Sequence, residues 1–307
     1  MEKPPETLEI PAPAKVNLSL AVTAKRADGY HELVSFAIPV TLFDKLIITS
    51  HPGPPTLQTF FTPGRMFPTN QRSAAEKVFQ SKDNSIQKAF NWWIQNRCKL
   101  TTTWKVEVIK NIPMGAGLAG GTTDGAAFLR TLSEIFSMDP PSGDFVESLG
   151  SDMAFCLHRK PAWICGRGEI IIPAELDETP ELCLATPDSM ISTKDAYQNL
   201  KKFQPPPNPS LVRSDKAISC KQLFEMSVNP FQHSAMKNHP TLRNLAASLY
   251  DLGAHHVSMT GSGPSLFGAF PTKTAAKKAA SALSSQGYWS CSVSPFLVKE
   301  TIVSRPT

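Results

Sequence analysis

The stretch NIPMGAGLAGGTTDGAAFLRTLSEIF, residues 111–136, places glycines at 115, 117, 120, 121 and 125 and threonines at 122 and 123 ahead of an apolar-periodic run. Glycine lets the chain take positive φ and lets a ligand reach the main chain with no side chain in the way. Such a loop can wrap an anion. Ala126, Ala127, Leu129, Leu132, Ile135 and Phe136 recur at helical spacing, so Thr122, Thr123 or Asp124 is expected to open a helix. Unpaired N–H groups at a helix start attract phosphate. On these residues alone, a glycine turn packed before an ordinary helix stays open as the alternative. Two familiar motifs do not fit: GxxxxGK[ST] needs a lysine that the loop lacks, and no acidic ribose partner follows as a dinucleotide GxGxxG requires.

The elements that must carry this loop follow from pattern. KVNLSLAV, Lys15 to Val22, reads as a strand, RADGY as a turn, and FAIPV and DKLIIT as extended segments of the same sheet. From His51 to Lys82 the chain is rich in Pro, Thr, Ser and Phe without sustained periodicity, which predicts a long loop with a short helix around Ala74 to Phe79 and assigns it no chemistry. DNSIQKAFNWWIQN has an Asp83 or Asn84 cap before Ile86, Ala89, Phe90 and Trp93 at helical spacing, and TTTWKVEVIKN alternates as a strand running into the glycine loop. A second unit is expected from AWICGRGEIIIP onward. It holds a helix at HPTLRNLAASLYDLG, a hairpin at HHVSMTGSGPSLFGAF, a helix at TKTAAKKAASALSSQG and a strand at YWSCSVSPFLV, a small α+β layer with helices on one sheet face.

At 307 residues the chain exceeds one ordinary core, so two domains sharing a cleft are expected. Its 41% hydrophobic content fits a packed globular protein, and its net charge of +5 is spread along the chain, which favours small anionic ligands over nucleic acid. The cysteines at 98, 156, 165, 183, 220 and 291 form no CxxC pair and no zinc spacing, and His233, His239, His255 and His256 show no metal spacing. No protein-held metal is expected. Free thiols fit a reducing cytoplasm. With no apolar leader and no run approaching 18 apolar residues, a cytoplasmic protein without membrane partners, monomeric or weakly dimeric, is the expectation.

Four segments in order, PAKVNLSLAVTAKRADGYHEL, PMGAGLAGGTTDGAA, LGSDMAFCL and MTGSGPSLFGAF, together resemble the GHMP kinase superfamily over nearly the whole chain. PAKVNL with RADGYHEL is similar to the branch whose acceptor is 4-diphosphocytidyl-2-C-methyl-D-erythritol, in the non-mevalonate isoprenoid pathway. The resemblance implies an α+β, two-domain fold: an ATP-binding α/β domain over 1–162, a ferredoxin-like substrate domain over 163–307 whose last strand can return to the first, and an active site in the cleft between. Other small-molecule kinases of the superfamily, a related decarboxylase, or a silent nucleotide- and metabolite-binding regulator are the alternative readings.

The resemblance also implies roles. Pro113, Gly115, Gly117, Leu118, Gly120, Gly121, Thr122 and Thr123 would hold the phosphates of ATP, with Mg²⁺ neutralising them, and Asn84 and Lys110 match the adenine side. Asp152 matches the acid that accepts the hydroxyl proton, and Lys15 the cation paired with it. Asn17 would orient the acceptor, and Gly261, Ser262 and Gly263 would line its diphosphate. Tyr30, His31, Thr193 and Tyr197 match the cytosine site, with Tyr30 and Tyr197 sandwiching the base. This chain reads Gly150, Ser151, Asp152, Met153, Ala154 where the family commonly has Gly-Ala-Asp-Val-Pro, which keeps the acid and changes the two residues after it.

Overall fold

The structure, a computed structural model, describes residues 7–81, 83–97, 101–143, 146, 148–200, 202–226, 229–296 and 303–304. Cys98 and the last two residues of the YWSCSVSPFLV strand lie outside them. β1 (Thr7–Lys25) and β2 (His31–Pro52) form one long antiparallel hairpin around the RADGY turn, so FAIPV and DKLIIT belong to a single strand. β3 (Leu57–Pro63) and α1 (Arg72–Gln80) lie within the stretch expected to be a loop, with the short helix where the pattern placed it. β3 was hidden because its partner is distant in sequence: it pairs parallel with β4 (Thr102–Lys110), after α2 (Ser85–Asn96) has crossed over.

α3 (Gly120–Ile135) and α4 (Met153–His158) follow, then β5 (Ala162–Gly166) and β6 (Ile170–Pro173). This last hairpin pairs with β2, so the first sheet continues to Pro173, past the division at 162 and 163. AWICGRGEIIIP reads the same whether it closes one sheet or opens the next, which is why pattern misplaced it. Among the described residues the first sheet has seven strands, in the order β11-β1-β2-β4-β3 with β5 and β6 against β2.

The second unit begins at β7 (Glu181–Thr186) and passes through α5 (Thr193–Gln198), α6 (Pro209–Val212), α7 (Cys220–Met226), α8 (Gln232–Asn238) and α9 (Pro240–Asp251). β8 (His256–Met259), β9 (Leu266–Phe270), α10 (Lys273–Ser285) and β10 (Trp289–Val293) complete an antiparallel four-stranded sheet of order β10-β7-β9-β8, the ferredoxin-like arrangement. After β10 the chain returns to the first sheet. Thr41 N donates to Ser294 O at 2.9 Å, Phe296 N donates to Pro39 O at 2.8 Å, and β11 (Val303–Ser304) pairs with β1.

Alternation along the strands decides what each face packs on. Leu46, Ile48, Val106 and Val108 pack with Phe90 and Trp93 of α2 and Phe128 and Leu129 of α3. Val16, Leu18, Phe36 and Ile38 meet Leu182, Leu184 and Phe267, so the two sheets share one apolar layer. Cys183 and Ala185, on the other face of β7, pack under Leu245 and Leu249 of α9 and Ala279 and Leu283 of α10.

Candidate active site

Lys15 and Asn17 reach the site because β1 changes face. Leu8, Ile10 and Ala12 pack on the helix side, whereas Ala14, Val16 and Leu18 pack towards the second sheet. The change falls where the β1–β2 pairing shifts register, between Pro13–Phe43 and Lys15–Pro39, with two more residues on β2 than on β1 across that step. Such an irregularity bends and twists the pair locally, and beyond it Lys15 and Asn17 line the cleft together with the starts of α3 and α4. Lys15 is 4% exposed, donates to Asn17 Oδ1 at 2.5 Å and lies 3.4 Å from Asp152 Oδ1. Asn17 is fixed in turn: its Nδ2 donates to Ser35 Oγ at 2.8 Å, and its N–H to Thr260 Oγ1 at 3.0 Å.

Asp152 comes from the N-cap position of α4 but makes no capping hydrogen bond, so its carboxylate stays available to Lys15 and the cleft. The glycine loop arrives opposite. α3 starts at Gly120, earlier than the expected Thr122 to Asp124, and its cap is Ala119 at φ 59° with no side-chain bond. The first N–H groups of the helix therefore have neither an intrahelical acceptor nor a capping oxygen. The Thr123 amide is already spent on Ala119 O at 2.9 Å, and the residue is buried, so Gly120, Gly121 and Thr122 face the cleft and Thr123 does not. Leu118 is likewise core rather than lining; its carbonyl accepts from Lys15 N at 3.2 Å.

Lys110 lies in the cleft wall with its side chain tied to the protein. Its ammonium is buried between Asp44 and Asp124, bonding both, the latter at 2.7 Å. Asp44 Oδ1 also accepts from the N–H groups of Asn111 at 2.5 Å and Ile112 at 2.9 Å, so one carboxylate anchors the strand's exit into the glycine loop. Burial, against the pull of Lys110 and aided by Asp44, raises the Asp124 carboxyl well above its usual range, and Asp124 Oδ1 has no hydrogen-bond partner. Asn84 is similarly committed. It caps α2 by accepting from Gln87 N at 2.9 Å and donates to Thr59 Oγ1 at 3.1 Å.

The second glycine turn, at Gly261 and Gly263, closes directly on the first. A Cβ on Gly117 would stand 2.3 Å from Thr260 O, and one on Gly261 3.1 Å from Gly117 O and 3.4 Å from Lys15 Nζ, so only bare backbone fits. Buried Asn229 holds this turn, donating to Met259 O at 2.7 Å and Gly261 O at 2.8 Å. Thr193 Oγ1 and Ser262 Oγ bond at 2.9 Å. Asn229 and Asp44 are positioned by tertiary contacts that nothing in their sequence neighbourhoods marked; Asp124 and Thr260 lie inside the two glycine segments, where the sequence offered Asp124 only as a helix start and gave Thr260 no role.

The aromatic side is built from His31, Tyr197 and Phe203. The His31 ring lies 5.0 Å from Tyr197 and 6.1 Å from Phe203. Burial, with the charge of Lys25, holds the His31 imidazole below its ordinary value, and burial beside Asp152 pushes the Tyr197 phenol up to about 12. Tyr30 is not part of this wall. It is 55% exposed, with Arg167 over its ring at 4.5 Å in a separate small recess. Successive extended residues point opposite ways, so the turn that aims His31 at Tyr197 sends Tyr30 out; His31 itself stands behind Tyr197 and is not among the residues lining the cleft.

Together these elements enclose a cleft of about 510 Å³ lined by Lys15, Asn17, Asn84, Lys110, Pro113, Gly115, Gly117, Gly120, Gly121, Thr122, Asp152, Thr193, Tyr197, Gly261, Ser262 and Gly263. Unpaired amides, a lysine–aspartate pair and an aromatic wall fit a phosphorylated ligand, a proton-accepting step and a flat ring. Family models described as GHMP kinases N terminal domain and GHMP kinases C terminal match residues 84–160 and 208–288. The curated 4-diphosphocytidyl-2-C-methyl-D-erythritol kinase of Syntrophomonas wolfei subsp. wolfei is 31% identical over 274 residues, 87% of this chain and 91% of that protein. Its counterpart in Bacteroides thetaiotaomicron is 31% identical over 261 residues, covering 84% and 90%. A crystal structure of a 4-(cytidine 5'-diphospho)-2C-methyl-D-erythritol kinase aligns with a TM-score of 0.71 at 26% identity, covering 94% of this chain and 98% of that one. A further likeness is of fold alone: L. major mevalonate kinase in complex with R-mevalonate aligns at a TM-score of 0.61 and 13% identity, over 96% of this chain and 98% of that one.

Proposed function

We infer from these matches that the chain, which belongs to the GHMP kinases and among them to the 4-diphosphocytidyl-2-C-methyl-D-erythritol kinases, performs ATP-dependent phosphorylation of that cytidyl diphosphate. The acceptor is its 2-hydroxyl, in the non-mevalonate route to isoprenoids. Phosphoryl transfer asks the protein mainly to align donor and acceptor and to stabilise charge. The amides of Gly120, Gly121 and Thr122 hold the phosphates of ATP at the α3 start. Asp152 accepts the hydroxyl proton as that oxygen attacks the γ-phosphorus, and Lys15 neutralises charge beside it. Asn17 orients the acceptor, the 261–263 turn takes its diphosphate, and the wall of His31 and Tyr197, with Phe203 behind, takes the cytosine.

The observation that carries these roles is the 3.4 Å approach of Lys15 to Asp152 where β1, the first glycine loop and the second glycine turn meet. Among the described residues no group of three or more acidic, His or Cys side chains is arranged to hold a metal. A Mg²⁺ held mostly by phosphates and water needs only one or two protein oxygens, and the Asp152 carboxylate and Thr122 hydroxyl at the cleft fit that demand. When bound, the ion neutralises phosphate charge. Among the described residues no helix is long and apolar enough to cross a membrane, and Cys156, Cys165, Cys183, Cys220 and Cys291 are free thiols. The test is incubation with Mg-ATP and the cytidyl substrate, followed by mass detection of the 2-phosphate; no product from folded protein defeats the reading.

A further inference from the structure

The segment from Gly64 to Gln80 supplies Val78 and Phe79 to the cleft wall and is bonded to both units. On the first unit, Gly64 N donates to Lys110 O at 2.7 Å and Met66 N to Asn111 Oδ1 at 3.2 Å. On the second, Trp289 Nε1 donates to Met66 O at 2.5 Å and Asn70 Nδ2 bonds Asp188 Oδ1. Directly after the last of these ties comes Gln71. Its Oε1 accepts from Met114 N at 2.8 Å and its Nε2 donates to Met114 O at 3.4 Å.

A carboxamide that meets both polar groups of one residue acts as a neighbouring strand would, and fixes that peptide's orientation as well as its position. Met114 immediately precedes Gly115, where the backbone turns to φ 62° and begins the run of bare amides. A loop free to rotate at Met114 spreads its N–H groups over many directions and must be reordered each time an anion binds. α1, which continues from Gln71, supplies Val78 and Phe79 to the cleft wall, so the same segment shapes the wall and the loop.

We propose that Gln71 is a positioning residue for phosphoryl transfer: its carboxamide locks Met114 and so holds the 113–117 loop in its anion-binding form. The inference rests on the kinase reading above. Gln71→Ala removes both bonds, and Gln71→Glu keeps the shape and the acceptor but turns the donor into an oxygen facing Met114 O. Asn70→Ala severs the neighbouring tie to the second unit and leaves Gln71 in place.

The experiment measures kcat and KM for each substrate, calorimetric affinity for a non-hydrolysable ATP analogue, and thermal unfolding without nucleotide. Expected for both Gln71 variants is about a tenfold loss of analogue affinity and a matching rise in KM for ATP, worth ~1.4 kcal/mol. The KM for the cytidyl substrate should move less than about twofold, as should every parameter of Asn70→Ala, and the nucleotide-free melting point should hold. Unchanged analogue affinity in both Gln71 variants overturns the proposal, as does a loss that falls equally on both substrates or tracks a lowered melting point. Failure of the unmodified protein to phosphorylate the cytidyl substrate counts against the kinase reading instead; the analogue affinities still decide the role of Gln71.

Discussion

Asp152→Asn separates chemistry from stability, because the two partners of the 3.4 Å pair differ in environment: the Lys15 side chain is 5% exposed and that of Asp152 36%. Asparagine keeps the size and one oxygen acceptor, and Lys15 retains its bond to Asn17 Oδ1. Solvent already screens the carboxylate, so its loss should cost no more than about 1 kcal/mol of folding stability, in the range of partly exposed pairs. For a chain of this size that is a shift of only about 2–3 °C in the melting midpoint. An amide cannot take a proton from a hydroxyl. A positioned base contributes roughly 10²–10⁴-fold to a proton-transfer step, so turnover should fall by about 3–5 kcal/mol of barrier while KM for either substrate stays within about threefold. The assay is quantitative mass detection of the 2-phosphate at saturating Mg-ATP, run beside a thermal melt. Turnover within about threefold of the unmodified protein would falsify the assignment of Asp152 as base, and a matching collapse of the melt would make the loss structural.

Bulk at Gly120 does not test the phosphate loop cleanly, because a Cβ there stands 2.9 Å from Ile112 Cγ2, whereas at Gly121 the nearest atom is Ser85 Oγ at 4.0 Å. Gly121→Val is therefore predicted to fold normally and to weaken ATP binding at least about tenfold by calorimetry; full affinity would mean that the loop does not hold the anion. Asp124 has a raised carboxyl in the fold, so the native state keeps a proton that the unfolded chain releases, and stability should fall as pH rises from the ordinary carboxyl range through that raised value. Urea midpoints of Asp124→Asn should lose this fall, and an identical slope in both proteins would contradict it. The cytidyl substrate should be favoured over its uridyl analogue by roughly 10²-fold in kcat/KM, since uracil reverses cytosine's donor and acceptor at the edge near His31 and each buried mismatch costs about 1–3 kcal/mol. His31→Ala should narrow that gap by harming the cytidyl reaction, and equal kcat/KM in the unmodified protein would remove the cytosine assignment.

What the sequence could show depended on whether a residue's task is local. The glycine loop is legible as a turn ahead of a helix because bare backbone before an apolar period is a local signal, and Asn84 is legible as a cap because capping is decided within three residues. The Lys15 and Asp152 pairing came only from resemblance; their proximity depends on an irregularity in the β1–β2 pairing that no spacing rule displays. Lys110 looked like a solvent or ligand lysine because Asp44, its partner in β2, lies 66 residues away. Tyr30 and His31 are adjacent and both aromatic, and only the turn geometry decides which one packs against Tyr197 at the cleft's edge. The start of α3 shifted because Ala119 adopts a left-handed cap that its residue type disfavours, so the expected polar caps were passed over.

The rejoining of residues 294–296 with β2, and of 303–304 with β1, makes the first unit discontinuous along the chain. The second sheet is thus an insertion within the first, bracketed by covalent attachments on both sides. During synthesis the backbone groups of β2 near Pro39 and Thr41 wait without these partners until the whole second unit has left the ribosome. A chain that stops at Val293 carries a complete ferredoxin-like sheet and an unfinished edge at residues made some 250 positions earlier. Open strand edges recruit other chains. Truncation at that point should therefore be felt as self-association seated at the opposite end of the sequence from the cut.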